Sequence, residues 1–257
     1  MFAAVEFLKG NLSFKGKLYD YFSLPQIISV RVEVPEALPF FIVKIKEHKG
    51  KIPFSAAENV MGKLCDSVLY KKDSAVPEEG PFRHFEGYEL KKKLLFNSAA
   101  NYIESLALDP LSQHITVFDE KAEFTHKIER LVFLSNKIQI VTKEKGSYKS
   151  TARFLMEKYG VSLIVSSNFS SAVKDSTFII SDKSDMIPIY YKGTLFTNEK
   201  KHLSFGKVLI GEGITLPIKY GELIPDGFDE MEFAMALYGK CGVRQLDKLT
   251  FDTLLLT

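Results

Sequence analysis

The chain has 257 residues, which suffices for one large domain or two smaller ones. Its 34 basic and 32 acidic residues are mixed along the sequence and leave a net charge of +2, so a nucleic-acid partner is not indicated. Apolar residues make up 46% and charged residues 26% of the chain, which is typical of a globular protein and excludes a disordered or fibrous one.

Cysteine usage and hydropathy indicate a cytoplasmic protein without a metal site. The two cysteines, Cys65 and Cys241, lie far apart and lack the CxxC spacing of a zinc site, and so few cysteines are typical of a reducing compartment. No run of about 18 apolar residues predicts a membrane-spanning helix. The segment Met1 to Lys9 is too short and too acidic for a signal peptide. We therefore expect neither a membrane partner nor a bound metal.

The first part of the chain combines two strands with two helices. Two alternating, β-branched runs, Ile27 to Val34 and Phe40 to Glu47, are joined by a short turn, so the sequence predicts antiparallel neighbours. Ser55 and Glu58 have the spacing of a capping box, which predicts a helix starting at Ser55 and reaching Val68. A second helix is predicted from Tyr88 to Ala107. Residues 1–110 are therefore predicted to form a small α+β part.

Strands and helices then alternate, which predicts a parallel sheet covered on both faces. The predicted helices are Phe124 to Leu134, Ser147 to Tyr159 and Phe169 to Lys174, and Gly160 is a natural stop for the second of them. The predicted strands are His114 to Phe118, Lys137 to Thr142, Val161 to Val165, and Thr177 to Ser181.

The tail after these elements predicts a return to antiparallel structure. Ile187 to Tyr191 and Thr194 to Thr197 flank Gly193, which predicts a hairpin, and Lys207 to Ile210 predicts another strand. A helix is predicted from Phe228 to Tyr238. The fold class is therefore α/β, with a Rossmann-like parallel sheet in residues 111–257 preceded by the smaller α+β part. Whether the two parts are separate domains or one continuous sheet is left open.

The loop after the first parallel strand lacks the glycines of a dinucleotide-binding motif. Such folds place G-x-G-x-x-G there, so that backbone N–H groups approach the pyrophosphate at a helix start. Here the loop runs from Asp119 to Glu123 and contains three carboxylates and no glycine. Because carboxylates repel a phosphate, the sequence argues against a dinucleotide bound in the usual way.

The loop after the second strand is the best candidate for an anion. Lys143 and Lys145 follow that strand, where NADP-using folds hold the 2′-phosphate, and Gly146 and Ser147 stand at a predicted helix start. The same residues are equally described as solvated lysines, a turn glycine and an N-cap serine. Both interpretations stay open.

Two further groups of residues are candidates for a site. Ser166, Ser167 and Asn168 precede another helix and can bind an anion through backbone N–H groups, although helix capping explains them as well. His126 lies one turn into the predicted helix after Asp119, and Asp119 or Glu123 can fix the imidazole tautomer for general acid or base catalysis. The alternative is a histidine that only faces solvent.

These observations support two functional hypotheses. The first is a non-catalytic or ligand-binding Rossmann-like protein that binds a small anionic ligand. The second is an NADP-dependent oxidoreductase, or another enzyme acting on a phosphorylated or nucleotide ligand, with NADP as the cofactor. Fold alone does not separate them, because one scaffold hosts many activities. Apolar strands in the tail also suggest pairing across a two-fold axis into a homodimer.

Overall fold

A computed structural model describes residues 1–9, 23–49, 51–61, 65–72 and 83–257. The chain forms two compact units, each built from two segments. The first unit comprises Met1–Leu90 and Thr215–Asp247, and the second comprises Lys91–Ile214 and Lys248–Thr257. The division into residues 1–110 and 111–257 stays a prediction about domains, because a compact unit is not by itself an independently folding domain.

Within its described residues, the first unit contains a four-stranded sheet of order β2-β3-β1-β4. β1 runs parallel to β3 and β4, whereas β2 and β3 are antiparallel, so the predicted pairing of the first two runs is confirmed. The ring of Phe233 packs edge-on against Phe2 and Phe40, which stack on each other at 5.1 Å. The strands are β1 (Phe2–Leu8), β2 (Ile27–Val32), β3 (Phe40–Lys46) and β4 (Ser67–Tyr70).

The helices of the first unit differ from the predicted ones at their ends. Helix α1 is Phe54–Met61, so Ser55 lies inside the first turn and is not its cap. The prediction that this helix reaches Val68 is wrong, because Val68 belongs to the fully buried strand β4. Later in the chain come α5 (Ile218–Gly221) and α6 (Glu230–Ala236), and α6 continues into a π-helical turn at Leu237–Cys241.

The second unit contains a seven-stranded sheet of order β11-β10-β9-β8-β5-β6-β7 in its described residues. All neighbours are parallel except β10 and β11. If the strands are numbered from β5 as strand 1, the order from β7 to β10 is 3-2-1-4-5-6, which is the strand order of the Rossmann fold. β11 adds an antiparallel strand at the edge next to β10. The predicted fold class is confirmed. The strands are β5 (His114–Phe118), β6 (Lys137–Val141), β7 (Leu163–Ser166), β8 (Phe178–Ile180), β9 (Thr194–Thr197), β10 (Lys207–Glu212) and β11 (Thr253–Leu256).

Three α-helices accompany this sheet in the described part of the chain. They are α2 (Glu89–Ser105), which begins at the end of the first unit, α3 (Lys149–Tyr159) and α4 (Phe169–Lys174). Gly160 ends α3 in the left-handed conformation, with φ of 68°, as predicted. The predicted helix from Phe124 to Leu134 is instead a 3-10 segment, Ile128–Phe133, preceded by turns.

The predicted hairpin around Gly193 is wrong. β9 pairs in parallel with β8 and β10, and Ile187–Tyr191 forms turns. Pro188 cannot donate to a sheet ladder, and its carbonyl accepts a turn hydrogen bond from the backbone N–H of Tyr191 at 3.0 Å. No helix among the described residues is long and apolar enough to span a membrane.

Candidate functional site

The strand order places the candidate site at the carboxyl ends of β5 and β8. The order reverses between these two neighbouring strands, and open α/β sheets bind ligands in the crevice outside such a switch point. The loops that begin at Asp119 and Ser181 leave the sheet there. The side chains of these loops therefore decide what the crevice can hold.

Asp119 occupies the first loop with its carboxylate buried, only 3% exposed. One oxygen accepts the backbone N–H of Glu123 at 2.9 Å, and the other accepts that of Phe124 at 2.8 Å. The hydroxyl of Tyr148 also donates to this carboxylate. Burial of the phenol and the neighbouring Asp119 charge both raise the pKa of Tyr148, so the hydroxyl keeps its proton. The backbone N–H groups of Glu123 and Phe124 thus donate to a carboxylate of the protein itself.

Glu120, the next residue, is held between lysines from two other loops. Lys143 follows β6 and contacts one carboxylate oxygen, and Lys183 follows β8 and lies 3.1 Å from the other. Hydrogen bonds from Lys143 and then Lys183 lower the pKa of Glu120 to about 2. The hydrogen bond and charge of Glu120 raise the pKa of Lys183 in return. Loops after three different strands therefore meet at one carboxylate.

A second ion-pair cluster centres on Lys92 of α2. Its ammonium lies 3.1 Å from a carboxylate oxygen of Glu123 and 3.1 Å from one of Asp182. Burial disfavours the charged form of Lys92, but the charges of Asp182 and Glu123 outweigh burial and raise its pKa. Beside this cluster, Glu199 accepts hydrogen bonds from the backbone N–H and the hydroxyl of Ser184. Charged groups at this end of the sheet are thus bound to one another.

His126 is exposed and lines two adjoining clefts together with Glu129. The smaller cleft has a volume of 460 Å³ and brings His126 together with Ser147, another residue that the sequence singles out. Its remaining lining is rich in hydroxyl groups and comprises Ala122, Thr125, Ser150, Thr151 and Phe154. We refer to it as the hydroxyl cleft. Both oxygens of Asp119 accept other hydrogen bonds, so the proposed pairing of Asp119 with His126 stays a prediction.

The larger cleft has a volume of 520 Å³ and contains most of the aromatic and cationic lining. We refer to it as the aromatic cleft. Its Glu129 accepts hydrogen bonds from the hydroxyl of Tyr159 and, at 2.9 Å, from the ammonium of Lys158. These bonds lower the pKa of Glu129, Tyr159 contributing the larger effect. The Glu129 carboxylate is therefore ionised and already paired.

The loop from Lys143 to Ser147 is exposed, but its helix start is not capped as expected. Lys145, Gly146 and Ser147 lie in a 3-10 turn that leads directly into α3. The residue preceding α3 is Tyr148, and no side chain caps the helix there. The interpretation of Ser147 as an N-cap is therefore wrong, whereas its place in the hydroxyl cleft leaves an anion-binding role as a prediction.

Ser166, Ser167 and Asn168 form the local capping arrangement at the start of α4. The side-chain oxygen of Asn168 accepts the backbone N–H of Ser171 at 3.3 Å, and the hydroxyl of Ser166 accepts that of Asn168 at 2.9 Å. Ser167 is exposed beside them. None of the three lines the two clefts around His126. Their proposed anion-binding role stays a prediction.

Sequence reasoning missed Lys92 and Lys183 as members of the crevice. Lys92 belongs to a run of three lysines, which is typical of a solvated helix face, and Lys183 stands in a loop between Asp182 and Asp185, where a single lysine gives no signal of its own. Among the residues that the structure describes, no group of three or more His, Cys, Asp or Glu side chains is suited to a metal ion.

The strand order defines the second unit as a Rossmann-like α/β fold, and the charged side chains in the loops at its switch point pair with one another. Comparison of the sequence with protein-family models and with curated proteins finds no match.

Proposed function

We propose that the chain is a non-catalytic, ligand-binding protein of Rossmann-like fold, which binds a small anionic ligand and holds no dinucleotide in the usual position. The hydrogen bonds of Asp119 are the observation that carries this proposal. In dinucleotide-binding folds the N–H groups after the first strand bind the pyrophosphate. Here the corresponding N–H groups of Glu123 and Phe124 donate to a buried carboxylate.

A pyrophosphate at this position faces two unfavourable effects. Its negative charge lies next to the Asp119 carboxylate, and like charges repel strongly where water is excluded. It also has to replace the two backbone hydrogen bonds that the carboxylate accepts, and a buried charge without partners is costly. Both effects favour a ligand that binds elsewhere in this unit.

The hydroxyl cleft is the place that we propose for the anion. The hydroxyl of Thr151 donates to the carbonyl oxygen of Thr125, whereas the hydroxyls of Ser147 and Ser150 and the imidazole of His126 are hydrogen-bond donors for phosphate or carboxylate oxygens. The one carboxylate in its lining, Glu129, is paired with Lys158. A volume of 460 Å³ accommodates a small molecule.

Thermal-shift measurements with phosphate, NAD, NADP and ATP test this proposal. A ligand at a hundred times its dissociation constant adds about 2.7 kcal/mol to the stability of the folded state. We expect phosphate to raise the melting temperature of the wild type and to lose much of that effect in His126→Ala. The matched control is His202→Ala, which removes another exposed histidine of the same unit. Equal phosphate shifts in both variants, or a shift with NAD or NADP, would contradict the proposal.

An enzyme acting on a phosphorylated or nucleotide ligand, including NADP, is the second candidate. It is favoured by the two lysines, Lys143 and Lys183, that meet at Glu120. A phosphate that replaced the Glu120 carboxylate would find two cations in place. If this candidate is correct, NADP raises the melting temperature of the wild type. The increase disappears in Lys143→Ala and becomes larger in Glu120→Gln. The control is Lys192→Ala, an exposed lysine at the amino end of β9.

Self-association through β11 is also part of the proposal. This strand is an edge of the larger sheet, and Leu255 and Leu256 are 42% and 66% exposed. Residues 253–257 have the sequence Thr-Leu-Leu-Leu-Thr. Antiparallel pairing of two copies about Leu255 therefore places leucine opposite leucine and threonine opposite threonine, and it brings no charged side chains together. Light scattering tests it: a dimer that Leu255→Lys converts to a monomer supports the pairing, and a monomeric wild type contradicts it.

A further inference from the structure

We infer that the aromatic cleft binds a small aromatic carboxylate. The inference goes beyond the proposed function, because it assigns a ligand to the cleft that adjoins the hydroxyl cleft at His126 and Glu129. Its first support is the size of the cleft, because 520 Å³ lies within the range of about 300–1,000 Å³ that is usual for small-molecule sites. Its second and third supports are the aromatic side chains and the charges of the lining.

Three aromatic side chains line the cleft, those of Phe96, Phe133 and Tyr159. Phe133 is 67% exposed, and it meets Tyr159 edge-on with ring centroids 5.6 Å apart. Phe96, buried and stacked on Phe124 at 5.0 Å, lines the cleft from the core. A ligand ring that packs against Phe133 removes the exposed surface of this side chain from water. The two rings can also stack in an offset arrangement or meet edge to face.

Charges in the lining favour an anion. Three cations line the cleft, Lys127, Arg130 and Lys248, together with two carboxylates, Glu104 and Glu129. The Glu129 carboxylate is paired with Lys158, which is not part of the lining, and Lys127 donates a hydrogen bond to the side-chain oxygen of Asn97 at 3.1 Å. The remaining charges of the lining are those of Arg130, Lys248 and Glu104.

Arg130 is the cation best suited to bind the carboxylate of the ligand. Its guanidinium donates a hydrogen bond to the side-chain oxygen of Asn101 and lies 3.7 Å from Glu104, at the limit of an ion pair, and its side chain is 40% exposed. Planar guanidinium groups bind carboxylates through two parallel hydrogen bonds. Because Phe133 and Arg130 line the same cleft, one molecule with a ring and a carboxylate can contact both.

Because the chain contains no tryptophan, an indole ligand can be followed by its own fluorescence. The probe is indole-3-acetate, with its neutral analogue indole-3-acetamide and the non-aromatic acid cyclohexylacetate as comparisons. We expect the probe to bind the wild type, and the amide to bind about tenfold more weakly because it lacks the charge-assisted hydrogen bonds. Cyclohexylacetate is expected to lose about fivefold in affinity with the aromatic contact.

Two variants assign the binding to this cleft. Arg130→Met and Phe133→Ala are each expected to weaken indole-3-acetate binding about fivefold or more. The controls are Arg153→Met and Phe205→Ala, which replace exposed residues of the same types elsewhere in the unit. Circular dichroism melting of all four variants establishes that they are folded.

The outcomes separate this inference from the proposed function. Probe binding that depends on Arg130 and Phe133 but not on the controls supports the inference. Probe binding that is indifferent to both residues overturns it. A phosphate shift that depends on His126, without any probe binding, overturns the inference and leaves the proposed function standing. Absence of both phosphate and probe binding overturns the two together.

Discussion

The hydroxyl of Tyr148, at the start of α3, donates a hydrogen bond to the carboxylate of Asp119 in the loop after β5. Both side chains are buried, and Tyr148 has no exposed surface. Replacing Tyr148 by phenylalanine leaves one carboxylate oxygen with fewer donors in a water-poor environment. We expect Tyr148→Phe to lower the free energy of unfolding by about 2 kcal/mol, the usual value of a hydrogen bond to a charged group. Urea denaturation measures it.

The matched control for this prediction is Tyr159→Phe. The Tyr159 hydroxyl also donates to a carboxylate, but its acceptor Glu129 lies at the surface and is paired with Lys158. Water replaces a lost hydrogen bond there, so we expect a change below about 1 kcal/mol. Equal effects of the two substitutions would contradict the structural role assigned to Asp119.

Gly160 is expected to resist replacement for conformational reasons alone. Its φ is 68°, and an added Cβ meets no atom within 4 Å, so the backbone conformation is the only obstacle. We expect Gly160→Ala to lower the free energy of unfolding by about 1 kcal/mol. The comparison is Gly146→Ala, where an added Cβ also meets nothing and φ is not positive. If thermal denaturation shows the same loss of stability for both substitutions, the left-handed backbone conformation is not the reason why Gly160 resists replacement.

The free energy of unfolding is expected to depend on pH through His114. This side chain is 6% exposed, and its Nδ1 lies 3.0 Å from the carbonyl oxygen of Asp175. Burial lowers the pKa of His114, and the charge of Lys137 lowers it further. The hydrogen bond to the Asp175 carbonyl and the charge of Asp175 raise the pKa, but they do not outweigh burial. The unfolded chain, with a histidine pKa of about 6.5, therefore binds the proton more readily than the folded chain.

The contribution of His114 is thus complete above the unfolded pKa and is lost as the pH falls below it. We expect stability measured by urea denaturation to decrease from pH 7 to pH 5, and His114→Asn to flatten this dependence. His202→Asn removes an exposed histidine of the same unit and is expected to keep the wild-type slope. A wild-type slope in His114→Asn would show that other groups cause the pH dependence.

Lys92 is expected to stabilise the second unit through its two partners. Its side chain is 19% exposed, and those of Glu123 and Asp182 are 21% and 26% exposed. Lys92→Met keeps most of the apolar stem but leaves two half-buried carboxylates near each other. We expect a loss of about 2 kcal/mol in the free energy of unfolding, compared with a negligible change for Lys149→Met on the exposed side of α3. A cost for Lys92→Met that matches the control would show that the pairs contribute nothing.

The sequence predicts the central strands of the seven-stranded sheet better than several other strands, for physical reasons. β5 and β6 lie within a residue of their predicted bounds, because apolar runs bounded by polar turns are typical of buried parallel strands. β1 and β11 were missed, since periodicity alone does not distinguish a short apolar strand from a segment of a buried helix. The hairpin failed because Pro188 and Gly193 indicate a turn but do not determine which strand β9 joins.

Side-chain partners at the candidate site are harder to predict than the loops themselves. The absence of a glycine motif after β5 is visible in the sequence, and so is the position of Asp119. That Asp119 accepts the N–H groups of its own loop depends on the loop conformation, in which Ala122 has a positive φ of 58°. The pairing of Glu120 with Lys183 requires β5 and β8 to be neighbours, which follows only from the strand order.

The neighbouring position of β5 and β8 also has a kinetic consequence. Their ladder joins Ile115 to Phe178 and is the only strand pairing that connects β5-β6-β7 with β8-β9-β10 within the described sheet. Each half can assemble from strands that follow one another along the chain. The two halves meet only when β8 returns to β5 and closes the chain segment that contains β6 and β7. Pairing at the centre of the sheet is therefore expected to be the late, slow step of folding, although these strands are among the most buried.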